Sequence, residues 1–85
     1  MVEVIEEIDG VKYVFEGIPY KQFKSVKRNC GDNNEMFEDT ILIKCCKEPK
    51  LTLEEIDEMD VGKVLKLKKA LMACMGLNLS DVKNF

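Results

Sequence analysis

The chain has no histidine and no tryptophan among its 85 residues, and only two of its residues are proline. Without histidine it lacks the base that Ser-His and Cys-His nucleophile pairs require. The serines, Ser25 and Ser80, lie in ordinary helix or loop contexts, and no glycine-rich phosphate loop is present. These absences predict a non-enzymatic protein without a cofactor, and they favour a binding module.

The four cysteines, at positions 30, 45, 46 and 74, form no C-x-x-C pair. Cys45 and Cys46 are adjacent, so on a helix they project in different directions and suit a tetrahedral zinc site poorly. We therefore expect no bound metal, and we interpret the cysteines as reduced, buried apolar residues. A cysteine redox protein stays open as an alternative, because Lys44 and Lys47 flank this pair and nearby positive charge lowers a thiol pKa.

No stretch of the sequence stays apolar for the ~20 residues that a membrane helix needs. Glu3, Glu6 and Glu7 make the N-terminus acidic, whereas a signal peptide begins with positive charge. We therefore expect a cytoplasmic protein that does not bind membranes. The net charge of −3 also argues against nucleic acid as the main partner, because phosphate binding needs clustered lysine and arginine.

Residues 2–16 predict a β-hairpin around Asp9-Gly10, since both central positions of a type I′ turn need positive φ. This turn pairs Ile8 with Val11. A lone hairpin is marginal, so its apolar face must lie on helices or its edge must pair with another chain. That face is expected to carry Val2, Val4, Ile8, Val11, Tyr13 and Phe15.

The rest of the chain shows helical periodicity, which predicts a small single α+β domain with three to four short helices after the hairpin. The first helix is amphipathic and basic, with Tyr20, Phe23 and Val26 on its apolar stripe. The second is apolar on most sides around Ile41, as is typical of the centre of a core, and Asp32 is expected to cap it. The fourth helix is also amphipathic, with Lys63, Lys66 and Lys69 largely off its apolar stripe. That stripe is expected to carry Val61, Val64, Leu67, Leu71, Cys74 and Met75. The four helices are expected at about residues 19–29, 34–47, 53–59 and 61–75.

The stretch from Pro49 to Asp60 connects the last three of these helices. Pro49 disfavours helical geometry at the residue before it, so the second helix should end near Lys47. Thr52 and Glu55 have the spacing of a capping box at the start of the third helix. Asp60 is expected to cap the fourth.

Methionine fills adaptable binding surfaces, although at helical spacing it also packs in cores. Residues 77–85 lack helical periodicity and are predicted to form a flexible tail. The candidate partner-binding residues are Met59, Met72, Met75, Leu77 and Leu79.

The order of the predicted secondary-structure elements and several short sequence motifs resemble those of the tail assembly chaperones of tailed bacteriophages and prophages. Such proteins similarly begin with a short "dG-x-x-Y-x-f" strand pair, and a helix then leads into a "Pro-Lys-Leu-Thr-x-Glu-Glu-Ile-Asp" turn and a final amphipathic helix. The resemblance covers about residues 9–75. The residues that carry it are Asp9-Gly10, Tyr13, Phe15, Phe37, Ile41 to Cys45, Glu48 to Glu55, Ile56, Asp57, Met59 and Leu65 to Leu71.

This resemblance implies a non-catalytic protein that binds the long tape-measure protein, keeps it in solution and helps tail-tube subunits assemble around it. The implied partners are therefore the tape-measure and tail-tube proteins, and we also expect self-association. The place of action would be the host cell cytoplasm, and the protein would be absent from the mature virion. If the gene is frameshifted, as in many members of the family, Phe85 would end the shorter product.

A small regulatory DNA-binding protein is the alternative from a different class. Its short helices and its cationic residues would then form a helix-turn-helix-like module. The net acidity and the lack of a basic recognition stripe with asparagine, glutamine and arginine count against it. The cationic residues concerned are Lys21, Lys24, Lys27 and Arg28.

Overall fold

A computed structural model describes residues 3–76, which form a three-stranded antiparallel sheet and four helices. The predicted small α+β domain with an N-terminal hairpin is thereby confirmed. The predictions for Val2 and for residues 77–85 lie outside the described residues. In chain order the elements are β1 (Glu3–Ile8), β2 (Val11–Glu16), α1 (Tyr20–Cys30), α2 (Asn34–Cys45), β3 (Cys46–Glu48), α3 (Leu53–Glu58) and α4 (Val61–Cys74).

The hairpin has the predicted turn and register. Asp9 has a φ of 53° and Gly10 a φ of 79°, as a type I′ turn requires, and Ile8 pairs with Val11. Tyr13 and Ile8 are buried on the inner face of the sheet. Val11 lies on the same face, opposite Ile8, but it is 42% exposed because it directly follows the turn at the end of the sheet.

A third strand replaces the end of the predicted second helix. The helix α2 stops at Cys45, and β3 then pairs antiparallel with β2, so the strand order is β1-β2-β3. Phe15 pairs with Cys46 and both side chains are almost fully buried, while Val14 pairs with Glu48. This pairing supplies ladder partners for the edge of β2 that β1 leaves free, which a longer α2 could not do.

The core lies between the inner face of the sheet and the helices. Phe15, Leu42 and Leu67 have no exposed surface, and α4 packs against both strands of the hairpin. The helix α1 packs against α2, where Phe23 meets Phe37 edge to face with ring centres 5.3 Å apart.

The first residue of the predicted apolar stripe is exposed, rather than buried, in two helices. Tyr20 is 70% exposed at the start of α1, and Val61 is 75% exposed at the start of α4. Side chains on a helix tilt toward its N-terminus, so the first residue extends past the covered end of the helix. The residues further along each stripe, Val26 in α1 and Leu67 in α4, are buried.

The helix caps differ from prediction at two of three places. Asn33, rather than Asp32, caps α2, and its side-chain oxygen accepts from the Met36 N–H at 3.0 Å. This follows from the position of the helix start, because α2 begins at the next residue, Asn34. Asp60 stands at the N-cap position of α4, but its side chain accepts no capping hydrogen bond.

Thr52 caps α3 through its hydroxyl oxygen, which accepts from the Glu55 N–H at 3.2 Å. The second bond differs from a standard capping box, in which the Glu55 side chain would accept from the Thr52 N–H. Instead the Thr52 hydroxyl donates to the Glu55 carboxylate at 3.1 Å. The start of α3 is thus held by two bonds between the same two residues.

Within residues 3–76, no helix combines the length and the apolar character that crossing a membrane requires.

Candidate functional site: a groove between the hairpin turn, α3 and α4

An open groove of about 490 Å³ lies where the hairpin turn meets α3 and the start of α4. Three separate parts of the chain contribute to it: the hairpin, the connection that follows β3, and the segment from α3 into α4. The lining residues are Asp9, Tyr13, Pro49, Leu51, Glu55, Glu58, Met59, Asp60 and Lys63.

The inner part of the groove is apolar. Tyr13 on β2 and Leu51 before α3 are both buried, with exposed fractions of 3% and 6%. Met59 is half-buried against the core, and Pro49 adds a further apolar surface. Buried side chains at a cleft form a preformed floor, which needs little reordering when a partner binds.

The rim of the groove is acidic. Among the described residues, it carries four exposed carboxylates and a single cation, Lys63. Carboxylates grouped around a cleft with apolar walls create a negative potential that attracts cationic groups. The four acidic residues are Asp9, Glu55, Glu58 and Asp60.

Lys63 is held against the floor by Tyr13. Its ammonium nitrogen lies 5.4 Å from the centre of the Tyr13 ring. The polar contact with the Tyr13 side chain raises the pKa of Lys63, and the charges of Asp9 and Asp60 act in the same direction. The lysine therefore stays protonated and offsets part of the negative charge of the rim.

The groove has features that suit the binding of a polypeptide segment. Its apolar floor can accept an apolar side chain, and its rim can pair with lysine or arginine on the same segment. Among the residues that the structure describes, no group of three or more potential His, Cys, Asp or Glu ligands is arranged to hold a metal ion.

The predicted partner-binding residues do not form one surface. Met59 lines the groove, whereas Met72 and Met75 are half-buried about 20 Å away, at the other end of α4. Leu77 and Leu79 lie outside the described residues.

Sequence reasoning missed the roles of Tyr13 and Lys63 in the groove. Tyr13 was predicted only as part of the apolar face of the hairpin, and Lys63 only as a residue beside the α4 stripe. Their 50-residue separation in the chain gave no local signal, because the packing of α4 on the hairpin brings them together.

A second charged surface lies on α1, away from the groove. Its four cationic side chains are exposed, and the helix has no acidic residue. The Lys24 ammonium lies 4.9 Å from the centre of the exposed Tyr20 ring, so a cation and an aromatic group form one contact surface. The cationic residues are Lys21, Lys24, Lys27 and Arg28.

The buried cysteines are poorly suited to redox chemistry. Burial is the main cause that raises the pKa of the Cys45 thiol to about 12, and it also raises the pKa values of Cys46 and Cys74. The Cys74 thiol donates to the Leu71 carbonyl at 3.1 Å. A reactive cysteine needs the opposite shift, so these thiols give no support to the redox alternative.

Comparisons with protein families, with curated proteins and with solved structures found no match to this chain.

Proposed function

We propose that this protein is a phage tail assembly chaperone that binds the tape-measure protein and assists the assembly of the tail tube, without catalysing a reaction. The observation that supports this most is the convergence of residues in the groove. Five residues from the sequence motifs that resemble the chaperone family line this one cleft. They are Asp9, Tyr13, Leu51, Glu55 and Met59.

The chemistry of the groove fits a long helical client. An amphipathic helix presents apolar anchors at a spacing of three or four residues, with charged side chains beside them. One apolar anchor would lie on Tyr13, Leu51 and Met59, and flanking lysine or arginine would face Glu55 and Glu58. Such contacts hide apolar surface of the client, which keeps an unassembled polypeptide in solution.

In this proposal the tape-measure protein is the primary partner and the tail-tube protein the second. The protein acts in the host cell cytoplasm and leaves before the virion matures. It makes no functional contact with nucleic acid or membranes. Its described helices and sheet serve as a rigid frame for the groove.

Co-expression with the tape-measure protein of the same genome tests this proposal. We expect the wild-type chain to keep the tape-measure protein in the soluble fraction and to co-purify with it. The double variant Asp9→Asn/Glu58→Gln removes two charges from the groove, and should lose most of this effect. The matched control is Glu54→Gln/Asp57→Asn, which removes two exposed charges of α3 that do not line the groove.

Absence of co-purification by the wild-type chain would contradict the chaperone proposal. Equal activity of the groove variant and the control would show that the groove is the wrong site. A parallel titration with duplex DNA tests the alternative, since salt-dependent binding at micromolar concentration would favour a DNA-binding protein.

A further inference from the structure

We infer that the groove also receives the basic face of α1 from a second copy of this chain, so that copies associate head to tail. This inference goes beyond the proposed function and does not depend on it, because both contacting surfaces belong to the protein itself.

Charge complementarity is the first argument. The groove presents four carboxylates and one lysine, whereas α1 presents four cations and no acidic residue. Opposite surface potentials steer two copies together and disfavour contacts between identical faces, where like charges would meet.

Matching apolar groups are the second argument. Tyr20 is 70% exposed at the start of α1, and Lys24 lies against its ring. Tyr13, Leu51 and Met59 provide an apolar floor for such an aromatic side chain. Aromatic residues surrounded by charged groups are frequent anchors of protein interfaces.

The two surfaces cannot satisfy each other within one chain. In its own chain α1 packs against α2, and neither helix contributes a residue to the groove. Within residues 3–76, each copy therefore offers one helix face and one groove that no other described part of the chain covers. Contact between two different surfaces is heterologous, and it produces a closed ring or an open chain of copies.

Head-to-tail association would also regulate access to the groove, a consequence that, unlike the association itself, rests on the proposed function. A second copy and a client segment would compete for the same floor and the same carboxylates. Binding of a client should consequently shift the protein from larger assemblies toward smaller ones.

Two variants with altered charge separate the two surfaces. Lys21→Glu/Lys24→Glu disables the helix face but keeps the groove, and its new acidic groups lie near the favourable N-terminal end of α1. Asp9→Asn/Glu58→Lys disables the groove but keeps the helix face, and asparagine suits the first position of the type I′ turn as well as Asp9 does. Lys66→Glu/Lys69→Glu, on the exposed side of α4, is the control for a change of net charge.

The experiment measures molar mass by light scattering against concentration at low and high salt. We expect the wild type and the control to associate at low salt and to dissociate at high salt. Each surface variant alone should remain at the monomer mass of 9.8 kDa. An equimolar mixture of both surface variants should stop at a dimer, because only one intact helix face and one intact groove then remain per pair.

A wild type that stays monomeric at high micromolar concentration and low salt would overturn the inference. So would surface variants that associate like the wild type, a mixture that forms no dimer, or a control that becomes monomeric. Circular dichroism checks that each variant folds, and the milder changes Lys24→Gln and Glu58→Gln replace any variant that does not. Each milder change should lower the association constant severalfold, and an unchanged constant would again overturn the inference.

Discussion

The ammonium nitrogen of Lys63 on α4 lies 5.4 Å from the centre of the Tyr13 ring on β2. This contact joins the sheet to α4 at the floor of the groove. It also places the one cation that residues 3–76 contribute to the groove lining among four carboxylates. Lys63 thus has two opposing effects, because it stabilises the walls of the groove and weakens their negative potential.

Replacing Lys63 with glutamine should separate these two effects. Loss of the cation–π contact should lower the free energy of unfolding by about 0.5 kcal/mol, as for exposed pairs of this kind. Binding of a cationic partner should become tighter, since the groove loses its positive charge. Urea denaturation and partner titration measure the two effects, with Lys66→Gln as the control. Weaker partner binding by Lys63→Gln would show that the lysine itself contacts the partner.

Thr52→Ala should lower the free energy of unfolding by ~1 kcal/mol, because α3 loses its capping hydrogen bond. Asp60→Ala makes a suitable comparison, since Asp60 holds the equivalent position of α4 without a side-chain cap bond. We expect the Asp60 change to cost clearly less. Equal losses in chemical denaturation would mean that the Thr52 bond contributes little in solution.

Ile41→Ala should destabilise the protein by ~2–4 kcal/mol, since it removes a buried side chain from the centre of α2 and leaves a cavity. Met36→Ala, on the same helix, should be nearly neutral because Met36 is 41% exposed. Denaturant midpoints and slopes of both variants provide the test. A neutral Ile41→Ala would contradict the placement of α2 in the core.

Stability should fall as the pH rises above 9. Burial, with a smaller contribution from Cys74, raises the pKa of Cys45 from 9.0 to about 12. Between these values the unfolded chain releases the thiol proton while the folded chain keeps it. The free energy of unfolding should therefore fall by up to about 1.4 kcal/mol per pH unit from this group.

The variant Cys45→Ala isolates this contribution from that of other groups that titrate in the same range. It should be less stable than the wild type at neutral pH, yet its stability should fall less steeply above pH 9. Urea denaturation on both sides of pH 9 gives the two slopes. Parallel slopes for the variant and the wild type would show that the Cys45 thiol is not buried in its protonated form.

The hairpin could be predicted in detail because its information is local. Asp9-Gly10 determines the type of turn. This turn then determines the pairing of Ile8 with Val11 and of Val4 with Phe15. The third strand could not be predicted in the same way. Cys46 and Lys47 continue the helical spacing of α2. They are extended because they pair with the edge of β2, which is distant in the sequence.

The groove was beyond prediction for the same reason. The stretch from Pro49 to Asp60 was recognised as a connection between helices, and Thr52 as a cap. Nothing in that stretch indicates that Asp9 and Tyr13 lie opposite it, because their proximity depends on the packing of α4 against the hairpin. The sequence therefore indicated only a turn for Asp9 and helix caps for Glu55 and Asp60.

Hydrogen–deuterium exchange on the co-purified complex with the tape-measure protein tests the central claim most directly. The reference is the chain alone, diluted until it is monomeric. We expect slower exchange in two separate segments that line the groove, residues 9–13 and 51–63, with little change in α1. Protection confined to the outer edge of β1, or exchange that is identical with and without the tape-measure protein, would contradict the account.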